Sequence, residues 1–459
     1  MTRPTAPRIP TWIALVALVV AACSGATTSA SVAPSAPAAT TPQPAASQGE
    51  ASTAPTPAPS LDTTPVSIKV WDYYGDTTPV KPALAGFKAQ YPWISVDYQA
   101  LDWDSMNEKF KAGLGAGEVP DLATLDMTWL PTLAANGALE DLSALSGGQL
   151  NGTPITSQYA QGALDAMSFQ GKMIAMLYDF DTYSLYYRKD LFDKKGIQIP
   201  KSWDDFRAAA KQLAEASKSG GKKDRYLTAI RPNSFHFSQF LYQDGGKLLN
   251  DDQSAAVFNS PEGVDAVNIQ KAVLDDGSGK YWSDADGDLT PAIKSGEVAM
   301  FQDGPYYMGL LKSGVPEQSG KWAVATAPYS KEPGSYLGGT GLAIPVQAAH
   351  KDAAWLLAQY LLRPDQQIGV FNYAGAAPAT TAALQAPDLT KADPYFGGEK
   401  PFGVFLESLK TSRPFPYVGA WDDIDTAIGE AMEKALLGKS DVQSALDAAV
   451  SETNDLLKK

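Results

Sequence analysis

Five clusters in this chain combine carboxylates with aromatic neighbours: Asp72-Tyr73-Tyr74, Asp126 with Trp129, Asp179 with Asp181, Asp303 with Tyr306, and Trp421-Asp422. A carboxylate accepts hydrogen bonds from two vicinal hydroxyls at once. An aromatic face packs on the apolar C–H side of a pyranose and, being rigid, orients it. Together these groups suit recognition of a saccharide. The bland alternative for each cluster is a helix-capping aspartate beside a core aromatic. Gly338-Gly339-Thr340-Gly341 is a second kind of candidate, because three glycines in four positions let backbone N–H groups approach a ligand. Its alternative is a tight turn.

Other chemistries find little support. The chain holds two histidines, His236 and His350, far apart. It has no His-Glu-x-x-His zinc motif, no paired Cys-x-x-Cys, no Gly-x-Ser-x-Gly elbow, no P-loop and no Gly-x-Gly-x-x-Gly fingerprint. His350 reads as a surface or capping residue, and His236 as a satisfied structural histidine. Asp284, Asp286 and Asp288 begin like a calcium loop. Leu289 and Ser295 stand where that loop needs glycine and glutamate, so a solvated turn is expected. Asp179 and Asp181, on one face of a strand, admit a glycoside hydrolase as a rival reading. No metal and no cofactor is expected.

The elements that must position these residues begin with an alternation of strand and helix. Val66, Ile68 and Val70 alternate as a strand, Leu84 and Phe87 share a helix face, and Ile94, Val96 and Tyr98 alternate again. Phe110 and Leu114 fit a second helix, Leu122–Leu125 a short strand, and Leu130, Leu133 and Ala134 a third helix. This pattern predicts an α/β fold with a parallel sheet covered on both faces, whose ligands lie beyond the carboxyl ends of the strands. Met173–Tyr187 reads as one strand. Ser202 and Asp205 form a capping box for a helix whose stripe is Phe206, Ala209, Ala210 and Leu213. Residues 235–294 read as mainly helix and loop. Short strands are expected at Val298–Phe301 and Trp322–Ala327, and a helix carrying Ala354, Leu357, Ala358 and Leu361 stops before Pro364. Two amphipathic helices close the chain. Gly438 ends the first, and Ser440 with Gln443 caps the second.

The N-terminal part is of a different kind. Arg3 and Arg8 precede an apolar run from Trp12 to Val20, and Val20-Ala21-Ala22 leads to Cys23, the only cysteine. This is the pattern of a signal peptide over residues 1–22, with Cys23 as the lipidated residue of a lipoprotein. The arginines are not adjacent, which disfavours a twin-arginine signal. Residues 23–64 form an Ala/Ser/Thr/Pro-rich linker in which Glu50 and Asp62 are the only charges. Removing residues 1–22 takes away two arginines and no acid, moving the formal charge from −14 to −16. So acidic a chain repels nucleic acid and anionic lipid. Only acyl chains, each buried CH₂ contributing about 0.8 kcal/mol, would hold it on the extracytoplasmic face of a membrane.

The residues from Pro65 onward resemble the extracellular solute-binding lipoproteins of bacterial ABC importers, in the maltose-binding-like family 1 group. The resemblance rests on an ordered succession. Val66-Ser-Ile-Lys-Val-Trp71 and Phe87-Lys-Ala-Gln-Tyr-Pro92 open it, and Pro120-Asp-Leu-Ala-Thr-Leu-Asp126 with Trp129 and Ala134-Ala-Asn-Gly-Ala-Leu139 follow. Leu185-Tyr-Tyr-Arg-Lys-Asp-Leu-Phe192 with Pro200-Lys-Ser-Trp-Asp-Asp-Phe206 is the most specific stretch. Gly296-Glu-Val-Ala-Met300 with Gly304-Pro-Tyr306, and Gly338 to Ile344, complete it. The resemblance implies a two-lobed periplasmic-binding-protein-like fold of type II in residues 65–459. One lobe would take residues 65–177 and 338–371, the other 178–337 and 372–459. Asp126 and Trp129 would meet solute from the first lobe, Tyr306 would stack from the second, and Gly339, Thr340 and Gly341 would offer backbone groups. Many sugar-binding members carry tryptophan where this chain has Tyr306. The function implied is a monomeric, non-enzymatic binding subunit that delivers a carbohydrate to the transmembrane subunits of an ABC permease. A receptor for a polyamine or a peptide is the alternative.

Overall fold

The computed structural model describes residues 62–215 and 225–458. The signal peptide, Cys23 and most of the linker lie outside the described residues.

The first three strands are β1 (Val66–Asp72), β2 (Ile94–Ala100) and β3 (Leu122–Asp126), all parallel, with β1 between the other two. Helices α1 (Val80–Gln90) and α2 (Trp103–Ala116) connect them, and α3 (Leu130–Ala135) follows β3. Ile68 and Val70 of β1 are buried, as are Phe87 of α1 and Phe110 of α2, so the alternating and helical apolar patterns pack onto each other as their periods require.

The sheet is mixed, not the parallel one expected. The segment read as one strand over Met173–Tyr187 splits into β4 (Met176–Asp181) and β5 (Ser184–Arg188), which belong to different sheets. Thr182 and Tyr183 carry the chain across. β6 (Leu227–Ile230), β7 (Gly279–Tyr281), β8 (Val298–Asp303) and β9 (Trp322–Ala325) join β5 in a five-stranded sheet of order β7-β6-β8-β5-β9, with β5 antiparallel to both neighbours. The chain then returns to the first sheet as β10 (Ser335–Ala343), antiparallel to β3 and β4. β11 (Ala377–Pro378) and β12 (Ser412–Pro414) complete seven strands. The first sheet therefore runs to Asp181 and resumes at Ser335 and again at Ala377, beyond the segments 65–177 and 338–371 expected for it.

Gly338, Gly339 and Gly341 lie inside β10, so the tight turn that is the alternative reading for them is not what they form. All nine residues of this strand are buried. A Cβ at Gly338 would meet the Tyr336 ring, one at Gly339 the Asp179 carbonyl of β4, and one at Gly341 the side chains of Ala175 and Leu130.

Helices cover the second sheet on both sides. α4 (Trp203–Ala214) begins with the expected capping box between Ser202 and Asp205 and buries Phe206, Ala209, Ala210 and Leu213. α5 (Ser234–Gln243), α6 (Pro261–Asp275), α9 (Trp421–Leu436) and α10 (Val442–Leu456) share its core. α7 (Tyr307–Gly314) packs on the opposite face, and α8 (Lys351–Leu361) on the first sheet. α10 is capped by Asp441, which accepts from Ser444 N; the Ser440–Gln443 box expected there does not form. Asp441 stands one residue nearer the helix, and its carboxylate is the stronger acceptor.

The crossing between sheets is fastened by small hydroxyl side chains. Tyr183 N donates to Ser335 Oγ at 2.9 Å, Thr182 Oγ1 meets Ser412 Oγ at 2.5 Å, and Ser184 Oγ meets Ser408 Oγ at 2.9 Å. The first satisfies a backbone N–H that leaving one ladder for another would otherwise strand, and the other two tie the crossing to neighbouring segments.

Candidate solute-binding cleft

A cavity of about 500 Å³ opens where the carboxyl ends of strands from both sheets meet. Its size is that of a small-molecule site. From the first sheet come Tyr73 and Tyr74 after β1, Trp103 at the start of α2, Asp126 at the end of β3, Asp179 and Asp181 of β4, and Gly339 and Thr340 of β10. From the second come Tyr183, Arg231 after β6, Phe235 in α5, Tyr306 and Tyr307 beyond β8, and Tyr336.

Each side chain has a local reason for its place. Asp102 caps α2 through Ser105 N, so Trp103 is the first helical residue and projects from the helix start. Its Nε1 donates to Asp126 Oδ2 at 3.0 Å, while Asp126 Oδ1 accepts from Thr128 N and Oγ1. Asn233 plays the capping part for α5 and sets Phe235 in its first turn. The two helix starts bring Trp103 and Phe235 within 6.4 Å, centroid to centroid. Tyr73 and Tyr74 stack at 5.0 Å and both reach Thr340 Oγ1, at 2.5 and 2.8 Å.

The floor is acidic. Asp179 Oδ1 accepts from Thr340 N at 3.0 Å, and its Oδ2 has no partner. Asp181 Oδ2 accepts from the Tyr336 hydroxyl, and its Oδ1 is buried without a hydrogen bond. A side chain at Gly304 would occupy the place of that Asp181 oxygen. Asp303, fully buried, accepts from Tyr306 Oη at 2.5 Å, Gly304 N at 2.9 Å and Arg231 Nη1 at 3.3 Å. Burial raises all four of these carboxyls, Asp126 included, above the ordinary carboxylate range. Asp179 reaches about 7, and Asp181 is raised further by the charges of Asp303, Asp179 and Asp126.

Of the residues expected at a binding site, the fold gathers Tyr73, Tyr74, Asp126, Asp179, Asp181, Tyr306, Gly339 and Thr340 on the cavity wall. Asp72, Trp129, Asp303, Gly341, Trp421 and Asp422 are not on it. Asp72 is fully buried and binds Thr78, Tyr98 and Thr124, holding the loop that presents Tyr73. Trp129 lies behind the wall, 4.8 Å from the Trp103 ring and 5.8 Å from that of Tyr73. Asp303 sits beneath Tyr306 and Arg231. Gly341 packs on Leu130 and Ala175. Trp421 is a core residue against Phe415, and Asp422 pairs with Lys111 at 2.6 Å, tying α9 to α2. Adjacent aspartate and aromatic residues at a helix start serve capping and core packing as readily as binding.

His236 is buried between Asn233 Oδ1 at 2.9 Å and the Gln302 carbonyl at 3.1 Å, and burial, then Arg231, holds it down at about 3. His350 is exposed before α8. Asp286 accepts from Ser283 and Asp288 from Thr290 N, as turn residues do; the side chain of Asp284 lies outside the description.

The wall also holds residues that the sequence did not single out: Trp103, Tyr183, Arg231, Phe235 and Tyr336. Asp102-Trp103-Asp104 carries the same acid–aromatic signature as the other clusters and could have been found. Tyr183 and Tyr336 could not, since nothing local separates a cleft tyrosine from a core one.

The raised carboxyl of Asp179 makes stability depend on pH. The folded state keeps this proton up to about pH 7, whereas the unfolded chain releases it near 3.8. The contribution is therefore fully present below the unfolded value and is lost as pH rises towards 7, by on the order of 4 kcal/mol. Asp179→Asn removes it. The variant should gain on the parent steadily from pH 4 to pH 7.5 in urea midpoints, while the opposite contribution of His236 is common to both. Parallel pH profiles would contradict this assignment.

Residues 74–368 match the family of bacterial extracellular solute-binding proteins. A putative binding protein of Brucella abortus is 26% identical over 408 residues, covering 87% of this chain and 95% of its own. A lactose-binding protein of Rhizobium radiobacter is 25% identical over 385 residues, covering 79% and 86%. The crystal structure of an ABC transporter solute-binding protein from Thermotoga lettingae, bound with α-D-tagatose, superposes with a TM-score of 0.74 at 26% identity, covering 85% of this chain and 99% of that one.

Proposed function

The chain belongs to the bacterial extracellular solute-binding protein family, and from that premise we propose that it is the lipid-anchored subunit of an ABC importer that captures a sugar or oligosaccharide and passes it to a membrane permease. The family is one of binding proteins, so the paired carboxylates Asp179 and Asp181 bind and do not hydrolyse. One observation carries the reading: a single cavity receives aromatic faces, hydroxyls and carboxylates from both sheets. Rings such as Trp103 and Tyr306 offer apolar platforms, and Asp179, Asp181 and Thr340 offer partners for hydroxyls. A solute touching both walls favours their approach over their separation, and the approached form is the one a permease would recognise. The names of the lactose-binding relative and of the tagatose complex support the same class of solute.

The anchor rests on Cys23 behind its apolar run. Among the described residues no helix is long and apolar enough to cross a membrane. Membrane retention that survives Cys23→Ser would remove the anchor from this reading. This reading takes the body as a monomer.

Calorimetry against mono-, di- and trisaccharides tests the function. Binding of at least one saccharide is expected. Binding of spermidine or an amino acid, with no saccharide bound, would overturn the carbohydrate assignment.

A further inference from the structure

Resting on the reading of the cavity as a saccharide site, we propose that the captured saccharide carries a basic nitrogen, held against the carboxyls of Asp179 and Asp181. Among the described residues lining the cavity, six are aspartates and one, Arg231, is basic. Most of these charges are already engaged. Arg231 is bound by Asp303, which accepts from it at 3.3 Å. Asp126 gives both oxygens to Trp103 and Thr128, Asp102 caps α2, and Asp288 accepts from Thr290 N.

Asp179 and Asp181 differ. Each gives one oxygen to a neighbour and keeps the other buried and unpartnered. Asp179 is 3% exposed, so water does not satisfy Oδ2 from bulk. An unpaired buried carboxylate oxygen is costly, and a ligand that pairs it recovers that cost. A sugar hydroxyl supplies one donor and no charge. An ammonium supplies three donors and a positive charge, enough to bridge both groups as they give up the protons that burial holds on them, so its binding releases protons. Tyr73 and Tyr74 stand beside this floor with their hydroxyls on Thr340, and Tyr336 with its hydroxyl on Asp181.

The test uses three disaccharides of one skeleton: cellobiose, chitosan disaccharide and N,N′-diacetylchitobiose, with α-1,4 and β-1,6 linked glucose disaccharides and their amino counterparts alongside. In calorimetry the free-amine member should bind about tenfold or more tightly than its hydroxyl or N-acetyl counterpart, the margin of a charge-assisted hydrogen bond over a neutral one. Asp179→Asn should lower affinity for the amino member more than for the neutral one, bringing their ratio towards one. Asp181→Asn should do the same, and unfolding midpoints check that each variant is folded. A neutral sugar that binds as tightly as its amino counterpart overturns the basic nitrogen and leaves the saccharide reading standing. Binding of spermidine alone, or failure of every skeleton, overturns both.

Discussion

Trp103→Ala is expected to weaken binding of the best saccharide by about thirtyfold or more while leaving the body folded. The ring is only half-buried, so its loss opens no core cavity. It stands at the first position of α2 on the cavity wall, in edge contact with Phe235 and backed by Trp129. An aromatic side chain in such a place is the usual energetic centre of a binding site, at about 2 kcal/mol or more. The substitution also strips Asp126 Oδ2 of its indole donor. Trp103→Phe keeps a ring and loses that donor, so its effect should fall between parent and alanine. Affinities within threefold of the parent in both variants, measured by calorimetry, would show that this ring is not a platform.

Gly339→Ala should cost about 3 kcal/mol of stability, read as a lower urea midpoint at unchanged slope. Gly339 has φ +143°, where a side chain is strained, and a Cβ there would fall on the carbonyl oxygen of Asp179 in the neighbouring strand. The two strands would have to part, drawing Thr340 away from Tyr73, Tyr74 and Asp179. The fold and the floor of the cleft thus depend on one absent methyl group. An unchanged midpoint would mean that the strands can shift without loss.

Much of the first sheet is legible in the sequence because each element answers to a local period. Ile68 and Val70 alternate, Leu84 with Phe87 and Phe110 with Leu114 keep helical spacing, and over the second sheet Ser202 with Asp205 likewise announces a helix start. The crossing at Thr182–Tyr183 is not legible. An apolar run continues through it, and what divides β4 from β5 is the choice of partner strand, a contact remote in sequence. The same holds for β10. Its glycines suggest a turn when read alone, whereas they let a buried strand lie close to its surroundings, Gly339 against the Asp179 carbonyl above all. In the site, strand-end positions such as Asp126 and Tyr73 follow from topology. Asp72 beside Tyr73 shows the limit: neighbouring residues of the same character point to opposite sides, one to the cavity and one to the core.

The central claim is that the cavity between the two sheets holds a saccharide on aromatic faces with its polar groups on the acidic floor. A crystal structure of residues 62–459 with the tightest-binding saccharide tests it most directly. The expected result is a sugar ring against Trp103 or Tyr306, with a polar substituent within hydrogen-bond distance of Asp179 Oδ2 or Asp181 Oδ1. A saccharide bound elsewhere on the surface, with both oxygens still unpartnered, would contradict it.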